Sequence, residues 1–278
     1  MKNWIHTPSH PDIARYVECY WFIDRDRAGQ NADFPKLNPD PSAHLIFAPA
    51  AQRYYYHAGS KEMQGQGSHW LYPHVRTLIM DHSRDFQIAA VKFHPGALYA
   101  LGLDVDAPRL DDTQVVTSDT LPLHQPIEAD ALVARAAAEP DAFFAQMEHL
   151  LLPWFARAQA DKHSKLTSAA LPLLLDTPVG ELGDKLYCSQ RTLERSFARV
   201  TGLTLKQYQS MVRLDTLLEA LYQQAEADID WAAIAVQFGF SDQPHLIRYL
   251  KRTLGTTPGK YAKQRDFTID IYGDFERS

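Results

Sequence analysis

This chain of 278 residues has little cysteine, no long apolar segment and no overall excess of basic residues. Its two cysteines, Cys19 and Cys188, are too few for a disulfide framework, so we expect a protein of the reducing cytoplasm. No run of about 18 apolar residues occurs, and early histidines and prolines interrupt any signal-peptide core. We therefore expect no membrane partner.

Motifs of common enzyme classes are also missing. The sequence has no Gly-x-Ser-x-Gly nucleophile motif and no phosphate-binding loop. Ten histidines lie in residues 1–162, but no His-x-His pair with a following Glu gives them the spacing of a metal site. We therefore expect no enzyme activity, no cofactor and no bound metal.

The net charge of −6 is distributed unevenly along the chain. Residues 1–162 hold 14 Lys+Arg and 20 Asp+Glu, whereas residues 163–265 hold 13 and 10. Residues 266–278 form an acidic tail with 1 Lys+Arg and 4 Asp+Glu. The basic excess is thus confined to one segment, as phosphate binding requires, and this distribution favours double-stranded DNA as a partner.

That segment contains one helical pattern twice. Apolar residues recur at helical spacing across 231–238, and Gly239 permits a sharp turn into a second, basic helix capped by Ser241 or Asp242. The same plan occurs upstream, where Tyr187 aligns on Phe240 with an offset of 53 residues. Two short helices joined by a tight turn, the second one basic, are typical of a helix-turn-helix motif.

Residues 163–265 resemble the DNA-binding domain of AraC/XylS-type transcription regulators. The resemblance is carried by Ile234-Ala235, Gly239-Phe240, Ser241, His245, Arg248, Lys251-Arg252, Gly255, Pro258 and Tyr261. Pro244, Leu246 and Leu250 depart from the family pattern. The resemblance implies a sequence-specific regulator with two helix-turn-helix motifs in successive major grooves, and RNA polymerase as a partner if it is an activator.

The N-terminal part is rich in short β-branched and aromatic stretches separated by turn residues. We predict strands at Arg15–Ile23, Ala43–Ala48, Gln52–Ala58, Val75–Met80 and Asp85–Phe93. Residues 15–21 and 91–96 resemble a domain that is commonly fused to such DNA-binding segments, where effector domains are often cupin-like. The expected fold class is α+β: a β-rich, cupin-like barrel or sandwich domain with helices, followed by an all-α double helix-turn-helix domain.

From Pro126 onwards the apolar residues recur at helical spacing, which indicates helices at Ile127–Ala138 and Asp141–Ala158. The second carries a wide apolar stripe, which is either core or a dimerisation face. The predicted plan is a β-rich effector or sensor domain (1–120), a helical segment that is a candidate for dimerisation (121–158), a linker (159–165), the DNA-binding domain (166–265) and the acidic tail (266–278).

The outward faces of the two second helices supply the predicted DNA contacts. These are Gln190, Arg191, Glu194 and Arg195 upstream, and Gln243, His245, Arg248, Lys251 and Arg252 downstream. The alternative is a solvated face with Glu194 paired within its helix. Pro244 and Ile247 offer no hydrogen-bond donor, so we expect stricter base readout upstream. Residues 204–224 read as one connecting helix of roughly 30 Å.

Aromatic residues crowd the β-rich domain and suggest a pocket for a small-molecule effector. The candidate ligand residues are Trp21, Arg53, Tyr55 and His57. Simple core packing explains the same aromatic residues about as well. The sequence thus favours a DNA-binding regulator modulated by a small molecule or by homodimerisation. The alternative is a small-molecule-binding or catalytic cupin-like protein without DNA-binding activity.

Overall fold

A computed structural model describes residues 2–25, 33–103, 106–117, 120–123, 125–222 and 229–254. Within these residues, strands with a few short helices come first, and helices follow. Gly255, Pro258, Tyr261 and the tail 266–278, which belong to the predicted plan, lie outside the described residues.

The strands form two antiparallel sheets that pack face to face. They are β1 (Lys2–His6), β2 (Val17–Arg25), β3 (Lys36–Leu37), β4 (His44–Phe47), β5 (Arg53–Ala58), β6 (Lys61–Gln66), β7 (His69–Leu71), β8 (Leu78–Met80), β9 (Phe86–Phe93) and β10 (Thr113–Val115). The six-stranded sheet has the order β1-β2-β9-β4-β7-β10, and the four-stranded sheet has the order β3-β8-β5-β6. No strand pairing joins the two sheets among the described residues, so the N-terminal part is a β-sandwich rather than a closed barrel.

Helices cover the outer face of the six-stranded sheet. The helices of this part are α1 (Pro11–Ala14), α2 (Ala97–Ala100), α3 (Ala129–Ala138) and α4 (Pro140–Phe155). On β2, Tyr20 and Phe22 pack with the helices, whereas Trp21 and Ile23 pack between the two sheets. Both faces of β2 are therefore buried, which explains why its sequence does not alternate between apolar and polar residues.

The apolar stripe of α4 belongs to this core. Phe143 and Met147 are fully buried, and Phe144 stacks on His6 with ring centroids 3.9 Å apart. Because the sheet already covers the stripe, it is not available as a dimerisation face.

Five strands were not anticipated by the sequence pattern, namely β1, β3, β6, β7 and β10. Strand β3 has two residues, and β7 and β10 have three each. In β6, Met63 is the one buried residue. Such strands gain their order from pairing with neighbours rather than from local preference. Helix α2 is short as well, with only four residues.

The C-terminal part is helical throughout the described residues. It contains α5 (Lys162–Ala170), α6 (Leu182–Lys185), α7 (Gln190–Thr201), α8 (Leu205–Tyr222), α9 (Trp231–Gln237) and α10 (Gln243–Leu254), with 3₁₀ turns at Pro172–Leu175 and Val179–Glu181. The Asp161 carboxylate accepts from the backbone N–H groups of His163 and Ser164 at 2.9 and 2.8 Å. This cap starts α5 inside the segment predicted as a linker, so the linker is shorter than 159–165.

The connecting helix α8 contributes to two separate cores. Leu205 and Met211 pack with α7, whereas Leu217 and Leu221 pack with α9 and α10. The helix predicted across 204–224 is thus present as α8, which makes one rigid connection between two small helical units.

We expect Phe143→Ala to lower the free energy of unfolding by about 3–5 kcal/mol, because it opens a cavity under the sheet. Phe34→Ala is the matched control, since Phe34 is 59% exposed and Phe143 is 0% exposed. The control should change stability by no more than about 0.5 kcal/mol. Urea unfolding measures both variants, and equal effects would contradict the assignment of the α4 stripe to the core.

Candidate nucleic-acid interface

Two helix-turn-helix units follow each other in the C-terminal part. Helices α7 and α10 both have 12 residues, and their first residues, Gln190 and Gln243, lie 53 positions apart. The upstream helix that precedes α7 begins at Val179, as a 3₁₀ turn that leads into α6, and the downstream helix α9 begins at Trp231. These two first residues lie 52 positions apart. The upstream turn is therefore one residue shorter than the downstream turn.

The backbone of the turns corrects the predicted alignment. Gly239 has a φ of 68°, and the upstream residue with the same left-handed backbone is Tyr187, with a φ of 52°. Tyr187 is thus the counterpart of Gly239, and Cys188 takes the place of the buried Phe240. The alignment of Tyr187 on Phe240 is wrong because it took no account of the residue by which the upstream turn is shorter. It therefore matched two aromatic residues that occupy different positions in the two turns.

Side-chain caps define where the second helices begin. The Ser189 hydroxyl accepts from the backbone N–H of Thr192 at 3.1 Å, and the Asp242 carboxylate accepts from that of His245 at 2.6 Å. Asp242 rather than Ser241 therefore caps α10, while the Ser241 hydroxyl lies 3.2 Å from His245 Nδ1. Exposed helix N-termini of this kind carry partial positive charge that favours phosphate groups.

The predicted contact residues of α7 lie on its outer face. Arg191, Glu194 and Arg195 are exposed, and Gln190 is half-buried. The amide of Gln190 donates to Glu194 Oε1 at 3.0 Å, which is the intrahelical pairing considered from the sequence. Arg191 and Arg195 make no hydrogen bond or ion pair with the rest of the described chain, so both guanidinium groups remain available.

The predicted contact residues of α10 are all exposed: Gln243, His245, Arg248, Lys251 and Arg252. Ile247 on the same helix is half-buried, and Pro244 is exposed in the first turn. Four of the twelve residues of α10, at its buried side, pack into the downstream core.

Helix α8 holds the downstream unit in place. The Arg213 guanidinium lies over the Phe240 ring, 4.3 Å from its centroid, and donates to the Phe238 carbonyl. On the other side, the Tyr249 hydroxyl donates to the Ser210 carbonyl at 2.7 Å. These contacts join α8 directly to the turn and to α10, so the downstream unit moves with α8.

The carboxyl-terminal end of α10 contacts the β-sandwich. The Thr77 hydroxyl donates to the Thr253 carbonyl at 2.7 Å, and Lys36 Nζ donates to the Leu254 carbonyl at 3.3 Å. Carbonyls in the last turn of a helix lack intrahelical partners, so the sandwich satisfies groups that the helix itself leaves open.

The carboxyl-terminal end of α7 also contacts the N-terminal part. Arg199 Nε donates to the Tyr99 hydroxyl at 3.1 Å, and that hydroxyl donates to the Asp161 carboxylate at 2.9 Å. A Cβ atom at Gly96 would lie 2.7 Å from a methyl carbon of Val200, so glycine permits this close approach.

A cavity of about 760 Å³ opens between the two sheets. Three of the predicted ligand residues, Trp21, Arg53 and Tyr55, line it, together with apolar side chains such as Ile46. The fourth, His57, does not line the cavity. It lies further along β5, where its ring stacks near that of Tyr55 with centroids 6.4 Å apart.

The cavity wall contains buried histidines that the sequence did not identify as ligand residues. His69 Nδ1 lies 3.0 Å from the Gly67 carbonyl, so it carries the proton, and Nε2 accepts from the Tyr56 hydroxyl at 2.9 Å. Burial lowers the pKa of His69 to about 4 and that of His82 to about 3. Both side chains are neutral at pH 7. The only sequence signal was their position in or near apolar strands.

A chain of polar contacts leads from the cavity towards α8. Trp21 Nε1 donates to His44 Nδ1 at 3.2 Å, and His44 Nε2 donates to Asp40 at 3.2 Å. Burial opposes ionisation of Asp40, but Lys92 and His44 hold its pKa well below the usual range. Asp40 and Lys92 line a smaller cavity of about 220 Å³ together with Tyr208 of α8.

Two features are absent from the described residues. In the part of the chain that the structure describes, no three His, Cys, Asp or Glu side chains are grouped to hold a metal ion. Nor does any described helix combine the length and the apolar character that crossing a bilayer requires.

Comparison with known proteins finds a matching family model for each of the two parts of the chain. A family model described as a helix-turn-helix domain matches residues 182–264, and one described as a domain of unknown function (DUF6597) matches residues 5–116. Solved structures that the comparison matches include ToxT from Vibrio cholerae, at 10% identity and a TM-score of 0.45 over 87% of this chain and 98% of that one. The C-terminal domain of AraT from Geobacillus stearothermophilus has 19% identity and a TM-score of 0.34 over 42% and 97%.

The most informative similarity is in sequence. A protein of Proteus vulgaris described as the probable transcription factor PqrA is 35% identical over 85 residues, which make up 31% of this chain and 67% of PqrA. Because this alignment spans two thirds of PqrA, and the helix-turn-helix model covers α6 to α10, the chain belongs to the AraC family of DNA-binding transcription regulators.

Proposed function

We propose that α7 and α10 enter two successive major-groove segments of double-stranded DNA. The observation that carries this proposal is the pair of equal helices with exposed polar faces, joined by the single helix α8. At 18 residues, α8 is about 27 Å long, which is shorter than a duplex turn of about 34 Å. Simultaneous insertion therefore favours DNA that bends towards the protein.

On α7, the two arginines are the base-reading candidates. The guanidinium groups of Arg191 and Arg195 suit guanine, whose O6 and N7 together accept two parallel hydrogen bonds. Glu194, oriented by its contact with Gln190, suits the amino group of cytosine.

On α10, the candidates divide between its two ends. Gln243 in the first turn suits adenine, and Arg248 suits guanine. Lys251 and Arg252 lie in the last turn and suit phosphate oxygens, which position the helix without reading sequence. His245 has its Nδ1 occupied by the Ser241 hydroxyl, so its Nε2 is the atom available to DNA.

We expect Arg195→Ala to weaken operator binding by about 1–3 kcal/mol and to relax the requirement at one base position. Arg135→Ala is the matched control, because it removes an exposed arginine from α3, far along the chain from α7. Binding is measured by fluorescence anisotropy against an operator series with single substitutions. A uniform loss across the series would identify Arg195 as a phosphate contact.

The half-site contacted by α7 should tolerate fewer base changes than that contacted by α10. The reason is that Pro244 and Ile247 place no donor on the outer face of α10, and the His245 ring is partly engaged. Substituting every operator position and measuring affinity tests this expectation. Stricter discrimination in the α10 half-site would contradict it.

We also propose that the larger cavity binds a small-molecule effector, so that the chain acts as a regulator in the cytoplasm rather than as an enzyme. A volume of about 760 Å³ lies within the range of about 300–1,000 Å³ that is usual for ligand sites. The neutral histidines and apolar walls suit a largely apolar molecule, with Arg53 at the exposed rim able to meet a polar group. A homodimer and, for an activator, RNA polymerase are the protein partners that this role implies.

Strands β3 and β8 are the proposed link between cavity and DNA. Leu37 and Met80 line the cavity, while Lys36 in β3 and Thr77 just before β8 bond the end of α10. A ligand that binds one arrangement of these strands more tightly than the other shifts the equilibrium between the corresponding positions of α10. The difference between the two affinities sets the size of that shift.

We expect Thr77→Val to leave ligand binding intact but to change the effect of the ligand on operator affinity. The substitution removes the hydroxyl that bonds α10, at a residue outside the cavity lining. Ligands are found by thermal melting of the chain with a metabolite library, and operator binding is repeated with each hit. Arg53→Ala is the companion variant, which should weaken ligand binding itself. The coupling is contradicted if the Thr77→Val chain responds to the ligand as the unchanged chain does.

A further inference from the structure

The upstream turn carries an unusual residue. Tyr187 is 98% exposed, and its φ of 52° places it in the left-handed region, where bulky residues are rare. Within the described residues its side chain makes no hydrogen bond and no ring contact. Neither packing nor local bonding therefore explains why a tyrosine occupies this position.

The second motif of the same chain supplies a direct comparison. Gly239 occupies the equivalent position with a φ of 68°, which glycine adopts without a steric penalty. The fold thus needs only a left-handed residue here, and tyrosine meets that need at a cost in stability. A side chain that occupies such a position at a cost in stability points to a contact outside the chain.

The position of Tyr187 indicates which contact this is. It lies in the turn two residues before Ser189, the cap of α7, and thus close to the amino-terminal end of the helix that carries Arg191. Resting on the proposed insertion of α7 into the major groove, we infer that Tyr187 binds the DNA backbone beside that groove. Its hydroxyl donates to a phosphate oxygen and its ring packs against a deoxyribose.

DNA fits this turn better than a protein surface does. Asp184, Lys185 and Ser189 on either side of Tyr187 are exposed and polar. A surface that binds a protein partner is expected to carry several apolar or aromatic residues, which form the buried centre of the interface. A single tyrosine among polar neighbours instead matches the mixed hydrogen-bonding and sugar contacts of a nucleic-acid backbone.

The test uses the full chain and a labelled 40-base-pair duplex that the unchanged protein selects from a random pool. Tyr187→Gly should melt at a higher temperature than the unchanged chain, because glycine removes the left-handed strain. The same variant should bind the duplex about three- to tenfold more weakly, as expected for the loss of one hydrogen bond and its packing. Opposite signs in the two measurements exclude misfolding as the cause of weaker binding.

Two further variants separate the parts of the contact. Tyr187→Phe keeps the ring and should lose only the share of affinity due to the hydroxyl. Tyr187→Asn, which tolerates a left-handed backbone, should bind as weakly as Tyr187→Gly. Because the side chain is uncharged, the slope of affinity against salt concentration should not change, and the loss should be equal on all operator variants.

Arg195→Ala is measured in parallel so that the two proposals fail separately. If Arg195→Ala weakens binding and Tyr187→Gly does not, the inference on Tyr187 is overturned while α7 still reads DNA. If neither variant weakens binding, the insertion of α7 is itself wrong. Unchanged DNA affinity with reduced transcription from a reporter would instead assign Tyr187 to a protein partner, and would also overturn the inference.

Discussion

The N-terminal part contacts the carboxyl-terminal ends of both α7 and α10, and these contacts brace the two helix-turn-helix units that α8 joins. Thr77 and Lys36 satisfy last-turn carbonyls of α10, while Tyr99 joins Arg199 of α7 to Asp161. Without these contacts, α8 alone would connect the two units. With them, each helix is held at the end opposite to its exposed N-terminus, so the faces proposed to read DNA stay free while their spacing is fixed.

The sandwich is built so that this contact lies close to an internal cavity. Its six-stranded sheet is buried on both faces, by α3 and α4 outside and by the second sheet inside. The inner space is not completely filled. In its wall the Tyr56 hydroxyl pairs with His69, whereas the buried Nδ1 of His82 has no hydrogen-bond partner within the described residues. A buried polar group without such a partner would cost stability, so the pairing lets the cavity persist without unfolding the sandwich.

The two helix-turn-helix units share a plan but are braced differently. In the downstream unit, Arg213 of α8 covers Phe240 and bonds the turn. In the upstream unit, Gln209 of α8 instead donates to the carbonyls of Leu174 and Thr177, both at 3.1 Å. In the shorter upstream turn, the smaller, half-buried Cys188 takes the place of the buried Phe240. The repeat therefore preserves helix lengths and spacing while each turn is stabilised by its own contacts.

The sequence by itself determined the helical elements and the faces they expose. Period, capping residues and turn glycines act within a few residues of each other, so α4, α7, α8, α9 and α10 could all be predicted from local patterns. The outward set on α7 and α10 followed from the same periodicity, and all of it is exposed apart from the half-buried Gln190.

Only the tertiary structure decided the short strands, the cavity and the contacts between the two parts. The bond between Thr77 and Thr253 joins residues 176 positions apart, and no local pattern encodes such a pair. The same holds for His57, which the sequence placed with Tyr55 as a ligand residue but which lies outside the cavity. It holds also for the upstream turn, where backbone conformation rather than residue type paired Tyr187 with Gly239. Local preference fixes the elements, whereas long-range packing fixes which side chains meet.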